Sequence, residues 1–446
     1  MSKIRFYTAI ICARLVYLAI KILNKSSGTS FVGMMTLKIC PDFLKFCRKY
    51  VKAGNAITVT GTNGKTTTSG LLAHILEEDK FKLIHNVKGA NMLTGIANVF
   101  ALNILPFKRF DYAVLESDEA YLTKLYDYFK ADYLLVTNLF RDQLDRYGEL
   151  STTASFIQSA IDKNPDLVLV LNADDPLVMN FGHNRKAKYY GFESVEILSD
   201  IHNSTSNAPT EVFNCVCGNP LKYDKQFFAQ EGHYHCESCS FKRPEPDYKG
   251  FVKIYSDYSV LTVKHSDSVY EFRINLVGLY NAYNVLGAVA CALENGIGYE
   301  TIKSAVLSYQ SIFGRAERKV INGHNTLIQL IKNPTGASEV LKTVDLSSKI
   351  LIAINDNYAD GRDISWLWDS DFEQLKNSQK SIITSGIRAK DMALRLKYAG
   401  VPADKIIVEE DIHKAVELAT SSDDKDERIT ILPSYTALLK ISKMKF

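Results

Sequence analysis

The chain has 446 residues, 46% hydrophobic and 23% charged, which excludes a disordered tract, a collagen-like repeat and a disulfide mini-scaffold. Its 53 basic and 50 acidic residues leave a net charge of +3, too little for a nucleic-acid binder held by bulk charge but compatible with a local phosphate pocket. Its length predicts roughly three domains.

The first element in chain order is an apolar helix. Phe6, Ile10, Ala13, Val16, Tyr17, Ile20 and Leu23 fit one face, and Ile11, Leu15, Leu18 and Ile22 widen it. Arg14 and Lys21 share a narrow polar side, and Arg14 makes a membrane crossing costly. The helix is therefore expected to pack on the protein, with contact to a membrane surface as the open alternative. Residues 56–61 predict a strand, and a Gly/Thr/Asn loop then opens a helix over 66–78. Segments 111–115, 132–137 and 167–171 read as buried strands separated by helical stretches, the alternation of a parallel, doubly wound sheet. Composition shifts to Asn, Ser, Cys, His and Pro over 203–247, which reads as an inserted module. Strands resume at 251–255, 259–263 and 270–274, and an Ala-rich helix covers 282–294. A boundary falls near Phe313-Gly314-Arg315, followed by strands at 326–331, 350–354, 381–384, 406–408 and 430–432. The expected organisation is a helical segment 1–50, an α/β middle domain 51–313 with an insertion over 208–248, and a C-terminal Rossmann-like α/β domain 314–446.

The sharpest chemical signal is Thr60-Gly61-Thr62-Asn63-Gly64-Lys65-Thr66-Thr67-Thr68. A strand that feeds a glycine-containing loop into a helix turns backbone N–H groups toward phosphate oxygens at the positive end of the helix dipole. Lys65 would neutralise phosphate charge, and the Thr66 hydroxyl would bind Mg²⁺. Val59 stands where the commonest form of this loop has its first glycine. Glu116, which ends the apolar run Ala113-Val114-Leu115, is the candidate second Mg²⁺ ligand; capping a strand end is its plain alternative.

Eight cysteines read as one metal cluster plus buried thiols in a reducing compartment. Cys215-Val-Cys217 and Cys236-Glu-Ser-Cys239 are two pairs on two turns, the arrangement tetrahedral Zn²⁺ needs. Four thiolates leave no open position, so this zinc would be structural. A disulfide, free thiols, or ligation through His233 or His235 are the alternatives. Residues 355–369 form an acidic, aromatic segment after a strand, with Asp356 next to the strand end and both tryptophans, Trp366 and Trp368. It reads either as a capped turn or as a site or partner surface.

Several motifs together resemble the Mur ligases, the ATP-dependent ligases of peptidoglycan precursors. They are the loop 61–67, Thr137-Asn138 with Asp142 and Asp145, Leu171-Asn172-Ala173-Asp174-Asp175-Pro176, Gly278-Leu279-Tyr280-Asn281 with Asn284, and Gly314-Arg315 with Glu317. The resemblance implies that Gly61, Thr62, Asn63, Gly64, Lys65, Thr66 and Thr67 bind ATP, that Asn281 and Asn284 approach adenine, and that Arg315 reaches phosphate. The sequence departs from the family in two places. Gln143 replaces a histidine, and Ile331-Lys332-Asn333-Pro334 replaces an Asp-x-x-His-Asn-Pro segment. Only about fifty residues precede the loop, so a soluble UDP-linked substrate is not expected.

The cysteine module, Lys332-Asn333-Pro334-Thr335-Gly336 and Asn355-Asp356-Asn357 resemble the members of the family that amidate. That likeness implies conversion of the D-glutamate α-carboxylate in the lipid II stem peptide to D-isoglutamine through an acyl phosphate. It further implies ammonia from a GatD-like glutaminase partner in a heterodimer, Lys332 and Asn333 at phosphate or acceptor, and action at the inner face of the cell membrane. Asp356 would complete the partner's Cys–His pair, with Asp360 as the alternative. The other cysteines, Cys12, Cys40, Cys47 and Cys291, stand on no glycine-flanked elbow, so this chain is not expected to hydrolyse glutamine itself. The competing readings are an amino-acid-adding Mur or folylpolyglutamate-type ligase acting alone, a zinc-ribbon nucleic-acid NTPase, and a scaffold with a relict nucleotide site.

Overall fold

The computed structural model describes residues 2–22, 29–87, 90–105, 108–141, 150–198, 214–255, 258–310, 315–422, 424 and 426–444. Its strands are β1 (Ala56–Thr60), β2 (Leu83–His85), β3 (Tyr112–Glu116), β4 (Tyr133–Val136), β5 (Val168–Asn172) and β6 (Ala187–Ile197). They continue with β7 (Leu221–Phe228), β8 (Glu231–Cys236), β9 (Tyr248–Ile254), β10 (Ser259–His265) and β11 (Ser268–Ile274). The last six are β12 (Arg315–Ile321), β13 (His324–Gln329), β14 (Lys349–Ala353), β15 (Ile382–Ser385), β16 (Ile406–Val408) and β17 (Ile429–Pro433).

A nine-stranded sheet runs in the order β11-β10-β9-β6-β5-β4-β1-β3-β2. All neighbours from β9 to β2 are parallel, and β10 and β11 extend the edge antiparallel. β1 and β3 are buried at every position, as strands covered on both faces must be. One face packs on the helices Lys65–Glu78 and Leu279–Glu294 through Val59, Leu72, Leu76 and Leu286. On the other, Phe6, Phe43 and Cys47 of the N-terminal helices join Phe100, Leu115 and Leu134 in one core. Because β1 lies between β3 and β4, the loop that follows it sits at a topological switch point, where open α/β sheets bind ligands.

A second sheet, ordered β12-β13-β17-β14-β15-β16, carries the C-terminal region, parallel except for β12. Between the two sheets in sequence, β7 and β8 form a separate antiparallel hairpin with the cysteines at its base. The α/β class and the hairpin insertion agree with the sequence reading. β6 was not expected. Its residues Ala-Lys-Tyr-Tyr-Gly-Phe-Glu-Ser-Val-Glu-Ile mix polar and apolar types, because only Tyr190, Gly191 and Phe192 are fully buried while its outer end emerges from the sheet.

Candidate active site

Backbone geometry fixes the loop between β1 and the helix Lys65–Glu78. Gly61 and Gly64 have φ of 124° and 83°, in the left-handed region that favours glycine. A Cβ at Gly64 would also overlap the Asn284 amide, and one at Gly61 would lie 2.8 Å from the Asn138 carbonyl. The Thr62 amide donates to the Asn138 carbonyl at 2.9 Å, and the Asn63 amide donates to Asn138 Oδ1 at 2.9 Å. Asn138, at the end of β4, thus takes two of the loop's N–H groups that the sequence pattern alone would aim at phosphate. The first intrahelical bond runs from the Thr68 amide to the Gly64 carbonyl, so the amides of the first helical turn stand outside the helix ladder at its positive end.

Lys65 is buried, and its Nζ lies 3.1 and 3.2 Å from the two oxygens of Glu119 and 3.2 Å from the Thr62 carbonyl; the Gly61 carbonyl is a further acceptor. Burial raises the Glu119 carboxyl above its ordinary range, and Lys65 opposes that rise. Thr66 Oγ1 is buried without a hydrogen-bond partner, and so is Glu116 Oε2. The other Glu116 oxygen accepts from Asn91 at 3.3 Å, and Asn86 clamps the Glu116 backbone on both sides at 2.8 and 2.9 Å. Since Glu116 pairs in register with Val59 of β1, the strand ends place both residues about the same loop. Two orphaned oxygens, a hydroxyl and a carboxylate, are the hard donors Mg²⁺ takes.

Asn63, Gly64, Thr67, Asn138 and Asn284 line a cavity beside the loop. Asn284 accepts from Thr68 Oγ1 at 3.4 Å and donates to Asn281 at 3.4 Å, so the two predicted asparagines share the first turns of one helix. The C-terminal region closes the cavity from the other side. Lys332 Nζ reaches the Thr62 carbonyl at 3.4 Å, and Asn333 Nδ2 donates to Asn63 Oδ1 at 3.1 Å. Asn333 Oδ1 meanwhile caps the helix Pro334–Lys342 through the Gly336 amide at 2.8 Å. The Arg315 side chain, and with it Asp142, Gln143 and Asp145, lies outside the described residues.

Sequence reasoning missed Glu119 as the partner of Lys65, and it missed the hairpin tip. Phe228 and Glu231, at the turn between β7 and β8, line the same cavity. Phe228 packs edge-to-face on Phe140 with ring centroids 5.2 Å apart, and Glu231 accepts from Asn172 at 2.9 Å. Burial and the nearby carboxylates Asp175 and Asp174 push the Glu231 carboxyl well up. Asp174 in turn accepts from Arg243 (2.6 Å), the Phe192 amide (2.7 Å) and Tyr283 (2.8 Å), tying the hairpin base to the sheet and to the adjacent helix.

At that base, one sulfur each from Cys215, Cys217, Cys236 and Cys239 lies within 4.8 Å of every other. All four are free thiols, and Cys215–Cys239 and Cys217–Cys236 are 3.4 and 3.6 Å apart, far beyond a disulfide bond. The set fits tetrahedral Zn²⁺. His233 and His235 are used elsewhere, on the Phe192 carbonyl at 2.8 Å and beside Asp224 at 3.2 Å.

In the C-terminal region Asp356 accepts from Arg388 at 2.6 Å, with 12% of its side chain exposed. Asp360 is turned inward, accepting from the Thr436 amide at 2.7 Å, its hydroxyl at 2.5 Å and the Asn357 amide at 3.1 Å.

Two family profiles match the chain: the Mur ligase middle domain over 59–292 and the MurT ligase C-terminal region over 330–438. The chain is 35% identical to the lipid II isoglutaminyl synthase (glutamine-hydrolyzing) subunit MurT of Streptococcus pneumoniae, over 94% of this chain and 92% of that one. It is 36% identical to the corresponding subunit of Staphylococcus aureus, over 97% and 96%. Among solved structures, a pseudomurein peptide ligase type C from Methanothermus fervidus superposes with a TM-score of 0.66 at 21% identity, covering 87% of this chain and 79% of that one. Folylpolyglutamate synthase from Mycobacterium tuberculosis does so with 0.61 at 16% identity, covering 96% and 97%. At so low an identity these two speak for the fold alone, but the full-length likeness in sequence goes further, and the chain belongs to the Mur ligase family, as a ligase of its MurT branch.

Proposed function

We propose that this chain is the ATP-dependent synthetase subunit that amidates the D-glutamate α-carboxylate of the lipid II stem peptide, giving D-isoglutamine. Residues 51–313, with the insertion 208–248, form the nucleotide-binding unit; 314–446 form the unit that closes on it and carries the partner surface; 1–50 form the helical lead segment. ATP lies along Gly61, Thr62, Asn63, Gly64, Lys65, Thr66 and Thr67, with adenine toward Asn281 and Asn284. Thr66 and Glu116 hold Mg²⁺, which supplies charge neutralisation at the phosphates. Lys65 and Arg315 spread the charge of the migrating γ-phosphoryl group. The acceptor carboxylate attacks the γ-phosphorus and becomes an acyl phosphate, releasing ADP. Ammonia then attacks the acyl carbon, forming the C–N bond, and phosphate leaves. Lys332 and Asn333 bring the C-terminal unit onto the loop, which shields the acyl phosphate from water.

Ammonia comes from a GatD-like glutaminase in a heterodimer. Cys40, Cys47 and Cys291 are buried, and burial raises all three thiols, Cys291 to about 12, the reverse of what a glutaminase nucleophile needs. Asp356, presented near the surface by Arg388, is the carboxylate that orients the partner's Cys–His pair; Asp360 is spent on the Thr436 amide and hydroxyl and on the Asn357 amide. The Cys215, Cys217, Cys236 and Cys239 cluster holds structural Zn²⁺.

The observation that carries this reading is the pair of partnerless oxygens, on Thr66 in the first helical turn after the loop and on Glu116 at the end of β3, with the C-terminal region already touching that loop. The test is an assay of lipid II in detergent with ATP, Mg²⁺ and ammonium chloride. Amidated product and ADP are expected in equal amounts, and Lys65→Ala is expected to abolish both. Incorporation of an amino acid in place of ammonium would reject amidation.

A further inference from the structure

The helix Ser2–Ile22 has two apolar faces, and the fold uses one. Phe6, Ala9, Ile10 and Ala13 are buried in the core shared with Val32 and Phe43. Ile11, Leu15, Leu18 and Ile22 do not widen the buried face as the sequence pattern suggested: with Ile4 they stand in solvent on the opposite side, Ile4, Leu15 and Ile22 exposed by 74%, 62% and 74%. At 3.6 residues per turn these five fall within about a quarter of the helix circumference. The helix Thr29–Ile39, which packs beside it, adds exposed Phe31 and Met34. A continuous apolar stripe of this length marks an interaction site, unlike scattered surface leucines.

Charge identifies the occupant. Residues 1–41 contain Lys3, Arg5, Arg14, Lys21, Lys25 and Lys38 and no Asp or Glu, in a chain that is otherwise almost neutral. Lys3, Arg5, Lys21 and Lys38 are exposed, while Arg14 turns to the carbonyls of Leu102 and Ile104. A protein partner or a second copy of the chain would cover the stripe but gives no reason to exclude acidic residues so completely. An anionic bilayer does, because cationic flanks around an apolar face seat a helix in the plane of the headgroups. Crossing is not the alternative, since no described helix is long and apolar enough to span a membrane.

We infer that the outer face of Ser2–Ile22 docks on the surface of an anionic lipid bilayer. This inference stands without the amidation reading, although it would hold the chain where a lipid-linked acceptor resides. The test is sedimentation of the full chain with phosphatidylglycerol/phosphatidylcholine vesicles that contain no lipid-linked precursor, and with phosphatidylcholine vesicles alone. Binding to the anionic vesicles is expected, at least about tenfold weaker without phosphatidylglycerol and falling as salt rises. The double variant Leu15→Glu, Leu18→Glu should lose about tenfold or more of that binding with unchanged melting temperature and nucleotide affinity. Lys3→Gln with Lys21→Gln should weaken binding to the anionic vesicles alone. Failure of the wild-type chain to bind anionic vesicles at low salt, or undiminished binding by the glutamate variant, would overturn the inference. A dimer that the glutamate variant dissociates, without vesicle binding, would assign the face to a second copy instead. None of these outcomes alters lipid II amidation in detergent, so the two proposals fail separately.

Discussion

Lys65 is not idle in this structure: a buried carboxylate, Glu119, already holds its charge at 3.1 and 3.2 Å. On the proposed nucleotide site, a triphosphate arriving at the loop exchanges with that partner. Removing Glu119 therefore leaves a buried cation with less compensation, a change that costs stability when no anion is bound. Glu119→Gln is expected to lower the melting temperature of the nucleotide-free protein, and added ATP should restore much of the loss. Differential scanning fluorimetry with and without nucleotide measures both. Glu116 is the contrasting case, since one of its oxygens makes no hydrogen bond. Glu116→Gln keeps an acceptor for Asn91 and loses the charge, so the fold should hold while turnover falls by about 100-fold or more, with a raised Mg²⁺ requirement in a magnesium titration. Glu231 gives a pH signature. A carboxyl raised in the folded state keeps its proton between its unfolded and folded pKa values. Folding takes up a proton there, and stability falls as pH rises through that interval. The wild-type chain should thus lose stability above the ordinary glutamate range, and Glu231→Gln should flatten that decline in urea titrations at several pH values.

The hairpin β7–β8 shows how an element can be legible in part. Its four cysteines announce themselves by spacing, because a metal site is built from residues close in sequence. What its far end does cannot be read that way: Glu231 meets Asn172 across 59 residues, and Phe228 meets Phe140 across a still wider gap. The same distinction holds for the phosphate loop. The lysine, threonines and glycines stand in one run, whereas Glu119 lies 54 residues from Lys65 and joins it only because β3 pairs with β1. β6 escaped notice for a related reason, its pattern being set by where it leaves the sheet rather than by a clean period of two. Since the four cysteines cluster at one end of the hairpin and the cavity wall is the other, removal of the proposed Zn²⁺ should be felt at the proposed nucleotide site. Stripping the metal with a chelator, or Cys217→Ser, is expected to weaken ATP affinity by about tenfold as the tip loosens, with most of the loss reversed by added Zn²⁺ in the chelated wild type. Nucleotide titration by calorimetry reads this directly, and an unchanged affinity would separate the hairpin tip from nucleotide binding.

At the scale of the whole molecule, polar contacts among the described residues join the two sheet regions, and Asn333 is the most informative of them. Its side chain divides its work: the oxygen caps the helix Pro334–Lys342, and the amide nitrogen donates across to Asn63 on the phosphate loop. Replacing it with alanine removes both, and the lost cap alone costs about 1 kcal/mol. Aspartate separates the two roles, because Asp caps a helix as well as Asn does but offers no donor to Asn63 and sets a negative charge beside the phosphates. Asn333→Asp should therefore melt within a few degrees of the wild-type chain yet lose about ten- to a hundredfold in kcat/KM for ATP, while Asn333→Ala loses stability as well. Parallel melts and ATP-saturation curves for the two variants decide the matter. If Asn333→Asp turns over at the wild-type rate, closure of the C-terminal sheet onto the loop is not what completes the site. The contacts of Lys332 and Asn333 with residues 62 and 63 would then be packing between neighbours and nothing more.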